Sequence, residues 1–296
     1  MDIYYTILVI FIMIILGRYI IIPKCNDMLT YNPYRATRDE MEKFCKKYKS
    51  HVKNIKFESK DGTILSGILI NRIKEPNWND DNIFMYCHGN SHWIGKIYGS
   101  APIKMLSRIG TIFMFDYRGY GVSEGHVSEQ GLYNDTMSAW LYMTQTMKIP
   151  ANKIILYGRS LGTAISSNLF LNLLKQNSNL PKALIIESPF TTLNEIAENY
   201  VPLLTHIVVL KFNNLHNLKT IKKILKKKNI RVPICIFHSK DDELIPYKQA
   251  IKLSNIGRCE LIDITGTHGH PIYNDDAINF IKNVMNNKKV DNLNIL

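Results

Sequence analysis

Hydrophobic and polar residues along this chain form two alternating kinds of segment. Short runs rich in β-branched and aromatic residues are separated by stretches in which hydrophobic residues recur every three or four positions, the spacing of a helix with one buried face. Eight of the short runs predict strands, and they read VKNIKFES, ILSGILI, IFMYC, TIFMFD, KIILYG, KALIIES, PICIFHS and CELIDIT. Strands that alternate with helices are typical of an α/β fold with a mostly parallel sheet.

The last six runs are hydrophobic at almost every position, as expected of parallel strands covered by helices on both faces. The first two flank the turn Asp61-Gly62 and predict an antiparallel edge. The helical patterns fall at residues 98–109, 128–147, 161–176, 246–256 and 275–286. One domain at residues 51–290 accommodates these elements, and residues 24–50 precede it as a polar connector with helical character.

The first 23 residues have a third kind of pattern. Residues 3–22 read IYYTILVIFIMIILGRYIII, and about 20 apolar residues in a helix match the thickness of a bilayer core. Arg18 lies near one end, where a long side chain reaches the headgroups. A cleaved secretory signal peptide and a buried core helix are the alternatives. The start MDIYY lacks the basic region of a signal peptide, so residues 1–23 predict an uncleaved, single-pass membrane anchor.

Charged residues are distributed unevenly around and beyond this predicted anchor. Lys24 and Arg35 follow it and Asp2 precedes it, so the positive-inside rule favours a cytosolic location for the rest of the chain. Of the net charge of +12, residues 199–240 supply nine Lys and Arg with no Asp or Glu. That run predicts either a helix with a solvated basic face or a patch that faces an anionic membrane. Aromatic residues do not alternate with the basic ones, so a nucleic acid is not an expected partner.

The cysteines and histidines do not form a metal-binding pattern. Five Cys are present, at positions 25, 45, 87, 235 and 259, and none forms a CxxC pair. An odd number without such spacing predicts neither a disulfide framework nor a zinc site. His268 and His270 could supply half of a metal site, but no further cluster of ligands accompanies them. We therefore expect reduced thiols, no metal and no cofactor.

The sequence GRSLG, residues 158–162, follows the strand KIILYG directly and precedes the helix-forming TAISS. A GxSxG sequence between a strand and a helix is typical of a nucleophile elbow, a sharp turn that exposes a reactive serine. Gly158 and Gly162 are needed there because a Cβ at either position would collide where strand and helix cross. Ser160 is the candidate nucleophile, and a glycine-rich turn with an unreactive exposed serine is the alternative.

A serine hydroxyl needs a general base, and the base needs a carboxylate that holds its orientation. Downstream, the strand PICIFHS ends in HSKDDELIP and the strand CELIDIT ends in GTHGH. The carboxyl ends of parallel strands lie along one edge of a sheet, so these two loops should converge on Ser160. The first loop offers Asp241 and Asp242 as the carboxylate, and the second offers His268 and His270 as the base.

Acyl transfer also requires N–H groups that stabilise the oxyanion of the tetrahedral intermediate. Leu161 follows Ser160 and begins the next helix, so its backbone N–H is one candidate. The other is the N–H of Asn90 in the loop HGN after strand IFMYC, where Gly89 allows close approach. His88 in this loop is expected to shape the backbone, and a catalytic base or a metal ligand are the alternatives for it.

Five blocks of the sequence resemble those of the α/β-hydrolase superfamily, namely CHGNSHWIG, DYRGYGVSEG, YGRSLGT, ESPFT and HSKDDELIP. The likeness extends over about residues 52–284 and is greatest for the membrane-anchored α/β-hydrolase domain-containing branch, which includes lysophospholipid and monoacylglycerol lipases and protein depalmitoylases. This resemblance implies an α/β-hydrolase fold and a serine hydrolase activity. It also implies that residues 116–125 form a structural loop near the site.

The same resemblance decides between the paired candidates. The branch carries HGxxDxxVP around its acidic residue, which matches HSKDDELIP with Asp242 at the Asp position and Ser239 in place of Gly. Its histidine lies in a GxH turn, which matches His268 in GTH, although relatives often continue with Asn-Asp where this chain has Gly-His. Pro271 also restrains His270 toward extended geometry. Asp242 and His268 are therefore the predicted partners of the serine.

The segment at about residues 190–230 lies where this fold accepts caps, and it is too short for a large lid. Within it, residues 201–210 could line an acyl groove, face lipid or form a buried segment. The prediction is a membrane-anchored serine hydrolase that cleaves an ester or thioester of a membrane lipid acyl chain through an acyl-enzyme. A serine peptidase of the same fold and a catalytically silent scaffold are the alternatives. An intact set of Ser, Asp, His and HGN argues against the scaffold.

Overall fold

The computed structural model describes residues 30–71, 76–78, 80–200 and 212–287. Nine strands in these residues form one sheet, with the bounds Val52–Glu58 (β1), Ile64–Ile70 (β2), Ile83–Cys87 (β3), Thr111–Phe115 (β4), Ile154–Arg159 (β5), Ala183–Glu187 (β6), Ile234–Ser239 (β7), Glu260–Gly266 (β8) and Pro271–Ile272 (β9). Across the sheet their order is β1-β2-β4-β3-β5-β6-β7-β8-β9.

The centre of the sheet is parallel and both edges are antiparallel. Strands β4, β3, β5, β6, β7 and β8 pair in parallel, whereas β1 pairs antiparallel with β2 and β2 with β4. The eight predicted strands and the antiparallel edge are thus confirmed. The ninth strand pairs antiparallel with β8, and two residues are too few to carry a hydrophobic pattern that would predict it.

Helices follow most of the strands. Their bounds are Arg38–Lys47 (α1), Ile94–Ile97 (α2), Ala101–Ile109 (α3), Glu129–Leu141 (α4), Leu161–Lys175 (α5), Leu193–Tyr200 (α6), Asn214–Lys228 (α7), Tyr247–Gly257 (α8) and Asp275–Met285 (α9). A π-helical turn at Tyr142–Thr146 extends α4, and a 3-10 turn at Ala151–Lys153 precedes β5. The predicted helices agree with these bounds to within a few residues, and the first of them, residues 98–109, corresponds to α3, whereas the short α2 ends before it.

Alternate residues of the central strands pack into opposite layers of helices. On β3, Ile83 and Met85 join one core with side chains of α4, α5, α7 and α8. Phe84 and Tyr86 join the other core with side chains of α1, α2, α3 and α9. Burial on both faces removes the polar positions of an ordinary alternating strand, which is why these strands read as continuous hydrophobic runs.

The chain before α1 is attached to the body of the domain. Helix α1 begins with a capping box, in which Thr37 Oγ1 accepts from the N–H of Glu40 at 3.2 Å and Glu40 Oε2 accepts from the N–H of Thr37 at 2.7 Å. Just before it, the N–H of Ala36 donates to the carbonyl of Gly121 at 3.0 Å, and the N–H of Gly121 donates to the carbonyl of Tyr34 at 2.7 Å. Residues 30–36 therefore run beside the loop that follows β4.

Helix α7 lies beside α5 and runs in the same direction. Asn214 Nδ2 donates to Thr163 Oγ1 at 2.9 Å near the start of both helices, and Lys228 Nζ donates to the carbonyl of Leu174 at 2.8 Å near their ends. Its buried face consists of the side chains Asn214, Asn217, Leu218, Ile221 and Leu225. The exposed face carries most of the basic run, so that run contains a helix with a solvated basic side.

No helix in the described parts of the chain is long and apolar enough to cross a bilayer. The predicted anchor, residues 1–23, and the hydrophobic segment at residues 201–210 both lie outside the described residues. The anchor and the bounds of the cap and of the domain therefore remain predictions. What the described sheet does establish is that the loops after β3, β5, β7 and β8 leave its carboxyl edge side by side.

Candidate active site

Ser160 lies in the sharp turn between β5 and α5. Its backbone has φ 52° and ψ −120°, a conformation that costs a residue with a side chain about 1–3 kcal/mol. The N–H of Ser160 donates to the carbonyl of Glu187 on β6 at 2.9 Å. The carbonyl of Ser160 accepts from Thr163 Oγ1 at 2.6 Å and from the Thr163 N–H at 2.9 Å. These bonds hold the strained turn in the form of a nucleophile elbow.

Two glycines allow the elbow to be this tight. A Cβ built on Gly158 would lie 2.2 Å from Ser166 Oγ and 2.4 Å from the carbonyl oxygen of Gly162. A Cβ built on Gly162 would lie 2.0 Å from the carbonyl oxygen of Cys87, at the end of β3. Contacts under 3.0 Å are essentially never seen for real Cβ atoms. The predicted need for glycine at both positions is confirmed.

Three of the predicted site residues converge at the carboxyl edge of the sheet. His268, in the loop after β8, places Nε2 3.2 Å from Ser160 Oγ. Its other ring nitrogen, Nδ1, lies 2.9 Å from Asp242 Oδ2, in the loop after β7. A serine, an imidazole and a carboxylate in this order have the geometry of a nucleophile, a general base and a group that orients the base.

The carboxyl group of Asp242 is buried and remains ionised at neutral pH. Its Oδ1 accepts from the backbone N–H groups of Leu244 at 3.0 Å and Ile245 at 2.8 Å. Burial alone would raise the pKa of Asp242, but the hydrogen bonds from His268 and Ile245 outweigh it and lower the pKa to about 2. A carboxylate accepts only, so Nδ1 of His268 carries the proton and the Nε2 lone pair faces Ser160.

The structure distinguishes the two candidate carboxylates and the two candidate histidines by their exposure and their contacts. Asp241 is exposed, and its backbone N–H donates to Ser239 Oγ at 3.0 Å. His270 is exposed as well, and its N–H donates to the carbonyl of Thr267 at 3.1 Å. The structure thus brings Asp242 and His268 to Ser160 and leaves their neighbours at the surface.

The loop HGN after β3 packs directly against the elbow. A Cβ built on Gly89 would lie 3.3 Å from Ser160 Cβ and 3.8 Å from Ser160 Oγ, so the backbone of this loop adjoins the hydroxyl. Leu161 is the first residue of α5, where an N–H has no carbonyl within its own helix to bond. The next residue of the loop is Asn90, so the N–H groups of Asn90 and Leu161 remain the candidate oxyanion donors.

Comparison with known proteins shows which proteins this chain is similar to. The sequence profile for the alpha/beta hydrolase fold matches residues 82–226. An uncharacterized protein of Acanthamoeba polyphaga mimivirus is 28% identical over 279 residues, which cover 88% of this chain and 92% of that protein. The crystal structure of an alpha-beta hydrolase from Vibrio vulnificus has a TM-score of 0.62 at 18% identity, with 87% of each chain covered. The chain has the α/β-hydrolase fold, and its sequence is similar to that family over about half of its length.

A further relative of this α/β-hydrolase comes from the branch that its sequence blocks resemble. The lysophosphatidylserine lipase ABHD12 of Rattus norvegicus is 31% identical over 205 residues. These residues cover 62% of this chain and 48% of the lipase, so the chain spans about half of that relative's length. The resemblance to the α/β-hydrolase domain-containing branch is therefore confirmed.

The sequence does not predict an ion pair that adjoins the site. Arg159 Nε donates to Glu187 Oε1 at 2.9 Å, and a terminal guanidinium N–H of Arg159 donates to the carbonyl of His268. Glu187 is fully buried, and its Oε2 also accepts from the hydroxyls of Tyr157 at 2.5 Å and Tyr273 at 2.8 Å. The loop that contains His268 connects β8 to β9, and Tyr273 follows β9. Arg159 therefore binds this loop at the carbonyl of His268, and Glu187 binds the chain just after β9 at the hydroxyl of Tyr273.

A second missed residue supports the carboxylate loop. His238, at the end of β7, is buried, and its Nε2 lies 2.9 Å from the carbonyl of Ile245 and 3.5 Å from Asp242 Oδ2. Burial lowers the pKa of His238, so its ring is neutral and Nε2 donates to that carbonyl. The same loop N–H groups that bind Asp242 are thereby held in place.

His88 has the surroundings of a residue that shapes the HGN loop. Its ring is buried, stacks on Tyr117 with centroids 4.2 Å apart, and places Nδ1 2.7 Å from the carbonyl of Gly89. Burial lowers the pKa of His88 to about 4 and raises that of the neighbouring Asp116 to about 8, so both groups are neutral at pH 7. In the part of the chain that the structure describes, no group of three or more His, Cys, Asp or Glu could hold a metal ion.

Proposed function

We propose that this protein is a membrane-anchored serine hydrolase that cleaves an ester or thioester of a lipid acyl chain through an acyl-enzyme. The observation that carries the proposal is the continuous series of contacts from Asp242 to His268 at 2.9 Å and from His268 to Ser160 at 3.2 Å. An ionised, buried carboxylate fixes the imidazole, and the imidazole faces a serine on a strained turn. Such an arrangement serves acyl transfer.

In this mechanism Ser160 Oγ attacks the substrate carbonyl while Nε2 of His268 accepts the hydroxyl proton. Asp242 keeps the proton on Nδ1 and stabilises the imidazolium that forms. The N–H groups of Leu161 and Asn90 stabilise the negative oxygen of the tetrahedral intermediate. Collapse of that intermediate expels the alcohol or thiol, which takes the proton from His268, and leaves the acyl group on Ser160. Water, deprotonated by His268, then releases the fatty acid.

Two observations favour a lipid acyl chain over other esters. The relative from Rattus norvegicus is described as a lysophosphatidylserine lipase, and its similarity covers 62% of this chain. The sequence of residues 3–22 is apolar enough to hold the protein at a bilayer, where acyl substrates are concentrated. The exact headgroup, or a protein thioester in its place, is what a substrate panel would identify.

Labelling with a fluorophosphonate probe tests the proposal directly. Wild-type protein should be labelled and should hydrolyse members of a panel of lysophospholipids, monoacylglycerols and acyl thioesters. Ser160→Ala should abolish both properties with an unchanged thermal melting temperature, because the hydroxyl is the covalent nucleophile. Ser178→Ala, at an exposed position beyond the end of α5, is the matched control and should behave as wild type. Labelling of Ser160→Ala at the wild-type rate would refute the proposal.

A further inference from the structure

The side chain of Asn90 joins the loop HGN to the chain before α1. Its Nδ2 donates to the carbonyl of Thr30 at 2.6 Å. Its Oδ1 accepts from the backbone N–H of Asn32 at 3.2 Å and from the hydroxyl of Tyr120 at 2.8 Å. A side-chain amide carries both an N–H donor and a carbonyl acceptor, and the surroundings of Asn90 supply a partner for each. Two of the three partners belong to residues 30–36, a part of the predicted connector at residues 24–50, and from here on "the connector" means residues 30–36 alone.

The connector is itself held on the body of the domain. Arg35 donates to the carbonyl of Ser123 at 2.6 Å and to that of Gly125 at 2.5 Å. The buried ring of Tyr31 packs edge to face against Phe212, with centroids 6.0 Å apart. The hydrogen bonds to Asn90 therefore come from a segment with a fixed position, and they restrain the position of the HGN loop.

The position of the loop matters because the backbone of Asn90 bears a candidate oxyanion donor. A displacement of about 1 Å in a catalytic group can cost about a hundredfold in rate. One of the two N–H groups of the Asn90 amide donates to the carbonyl of Thr30, and its Oδ1 accepts from Asn32 and Tyr120, so the side chain is anchored by three hydrogen bonds. Its contribution to the reaction is to hold the backbone that carries the N–H.

We propose that the Asn90 side chain is a positioning residue through which the connector sets the oxyanion loop, so that the segment following the predicted anchor is a working part of the site. This inference rests on the proposed function. It assigns to residues 30–36 a contribution to turnover as well as to attachment. Tyr120, which is fully buried, donates to the same Oδ1 that accepts from Asn32.

Steady-state kinetics on the full-length protein with a short, soluble ester such as p-nitrophenyl butyrate test the inference. Asn90→Ala should lower kcat about tenfold to a hundredfold and leave KM within about twofold, because donor placement acts on the transition state. Tyr120→Phe keeps the buried ring and removes one hydrogen bond, so it should lower kcat by a smaller factor. A lower melting temperature together with a raised KM in these variants would indicate a merely structural contact and would overturn the inference.

The connector offers a matched pair of variants. Asn32→Pro removes the backbone N–H that Asn90 Oδ1 accepts, whereas Asn32→Ala keeps that N–H and loses only an exposed side chain. We expect a lower kcat for Asn32→Pro and a wild-type kcat for Asn32→Ala. If wild-type protein neither hydrolyses the ester nor reacts with the fluorophosphonate, the proposed function fails. If wild-type protein is active and Asn90→Ala, Tyr120→Phe and Asn32→Pro all keep its kcat, the inference alone fails.

Discussion

At the scale of single residues, burial distinguishes two side chains of equal chemistry. Asp242 and Asp241 are adjacent, yet the side chain of Asp242 is fully buried with three hydrogen-bond donors around it, and Asp241 lies in water. Water competes for the hydrogen bond between a solvated carboxylate and an imidazole, so an exposed carboxylate does not hold the ring in one orientation. The proposed roles of Asp242 and His268 follow from this difference.

Substitution of the paired candidates tests these roles. Asp242→Asn and His268→Ala should each lower kcat by about 10⁴, since Asn stabilises the wrong tautomer of the imidazole and Ala removes the base. Asp241→Asn and His270→Ala are the matched controls and should keep most of the activity, because both side chains are exposed. Ester hydrolysis by purified variants of equal melting temperature measures the effect. An inactive His270→Ala beside an active His268→Ala would place the base two residues further along.

The carboxyl group of Asp242 also links stability to pH. Its pKa is about 2 in the folded protein against 3.8 ordinarily, so the folded state binds fewer protons here than the unfolded state between about pH 4 and pH 2. The stabilisation is fully present above that window and is lost as the pH falls through it. Urea unfolding from about pH 5 to pH 3 should show a steeper loss of stability in wild type than in Asp242→Asn. Parallel curves for the two proteins would contradict this linkage.

At the scale of elements, β3 and α5 cross at very close range. Gly162→Ala would place a Cβ 2.0 Å from the carbonyl of Cys87, so the helix would have to move and take the elbow with it. Gly269→Ala is the control, since a Cβ there meets no described atom within 4 Å although it adjoins His268. We expect Gly162→Ala to lose activity and melting temperature together and Gly269→Ala to keep both. Wild-type thermal stability of Gly162→Ala would show that the crossing can widen.

A second element-scale contact is the ion pair that ties β5 and β6 to the His268 loop. Arg159→Met leaves Glu187 as an uncompensated buried charge, which costs roughly 3–5 kcal/mol of stability, and it removes a donor to the carbonyl of His268. The double variant Arg159→Met/Glu187→Gln removes both charges. It should recover most of the melting temperature and little of the kcat, because the loop still lacks its N–H donor. Recovery of kcat along with stability would limit the pair to a structural role.

This pair also shows why the sequence predicts one part of the site and not another. Ser160 has a motif around it, and strands such as β3 and β7 are hydrophobic over all or most of their length, so both can be recognised locally. Arg159 and Glu187 are partners only because β5 and β6 pair with these residues opposite each other. Register across a buried sheet is a property of tertiary structure, and a glutamate at the end of a strand is the only local signal.

The link between Asn90 and the connector escapes prediction for a related reason. Two of its three hydrogen bonds go to backbone atoms of Thr30 and Asn32, about 60 residues earlier in the chain. Backbone groups are present at every position, so no residue pattern marks the ones that are used. The third partner, Tyr120, lies in a block that the family resemblance marks as structural, which agrees with its contact to the loop.

At the scale of the whole molecule, the described chain begins at the carboxyl edge of the sheet, and the basic end of α7 lies away from that edge. Thr30 bonds Asn90 at the carboxyl edge of the sheet, and seven residues from Pro23 to Thr30 reach at most about 25 Å. Helix α7 starts at the same edge beside Thr163, and its last residue, Lys228, lies about 21 Å along the axis, beside Leu174. A bilayer that holds residues 1–23 would therefore lie within about 25 Å of Thr30, which is at the edge of the sheet where the site lies.

This arrangement predicts how the protein is held at a membrane. Deletion of residues 1–23 should release the protein from vesicles that contain anionic lipid, even at low salt, because we expect the predicted anchor to hold the protein and the basic face of α7 to stay solvated. Full-length protein should stay bound at high salt, since screening weakens surface attraction and leaves a spanning helix in place. Flotation of both forms at low and high salt measures this.

The competing outcome is a truncated protein that binds at low salt and dissociates at high salt. It would make the basic face a membrane contact in its own right, at about 1 kcal/mol for each lysine near the surface. Replacing Lys226, Lys227 and Lys228 by Gln in the truncated form should then abolish that binding.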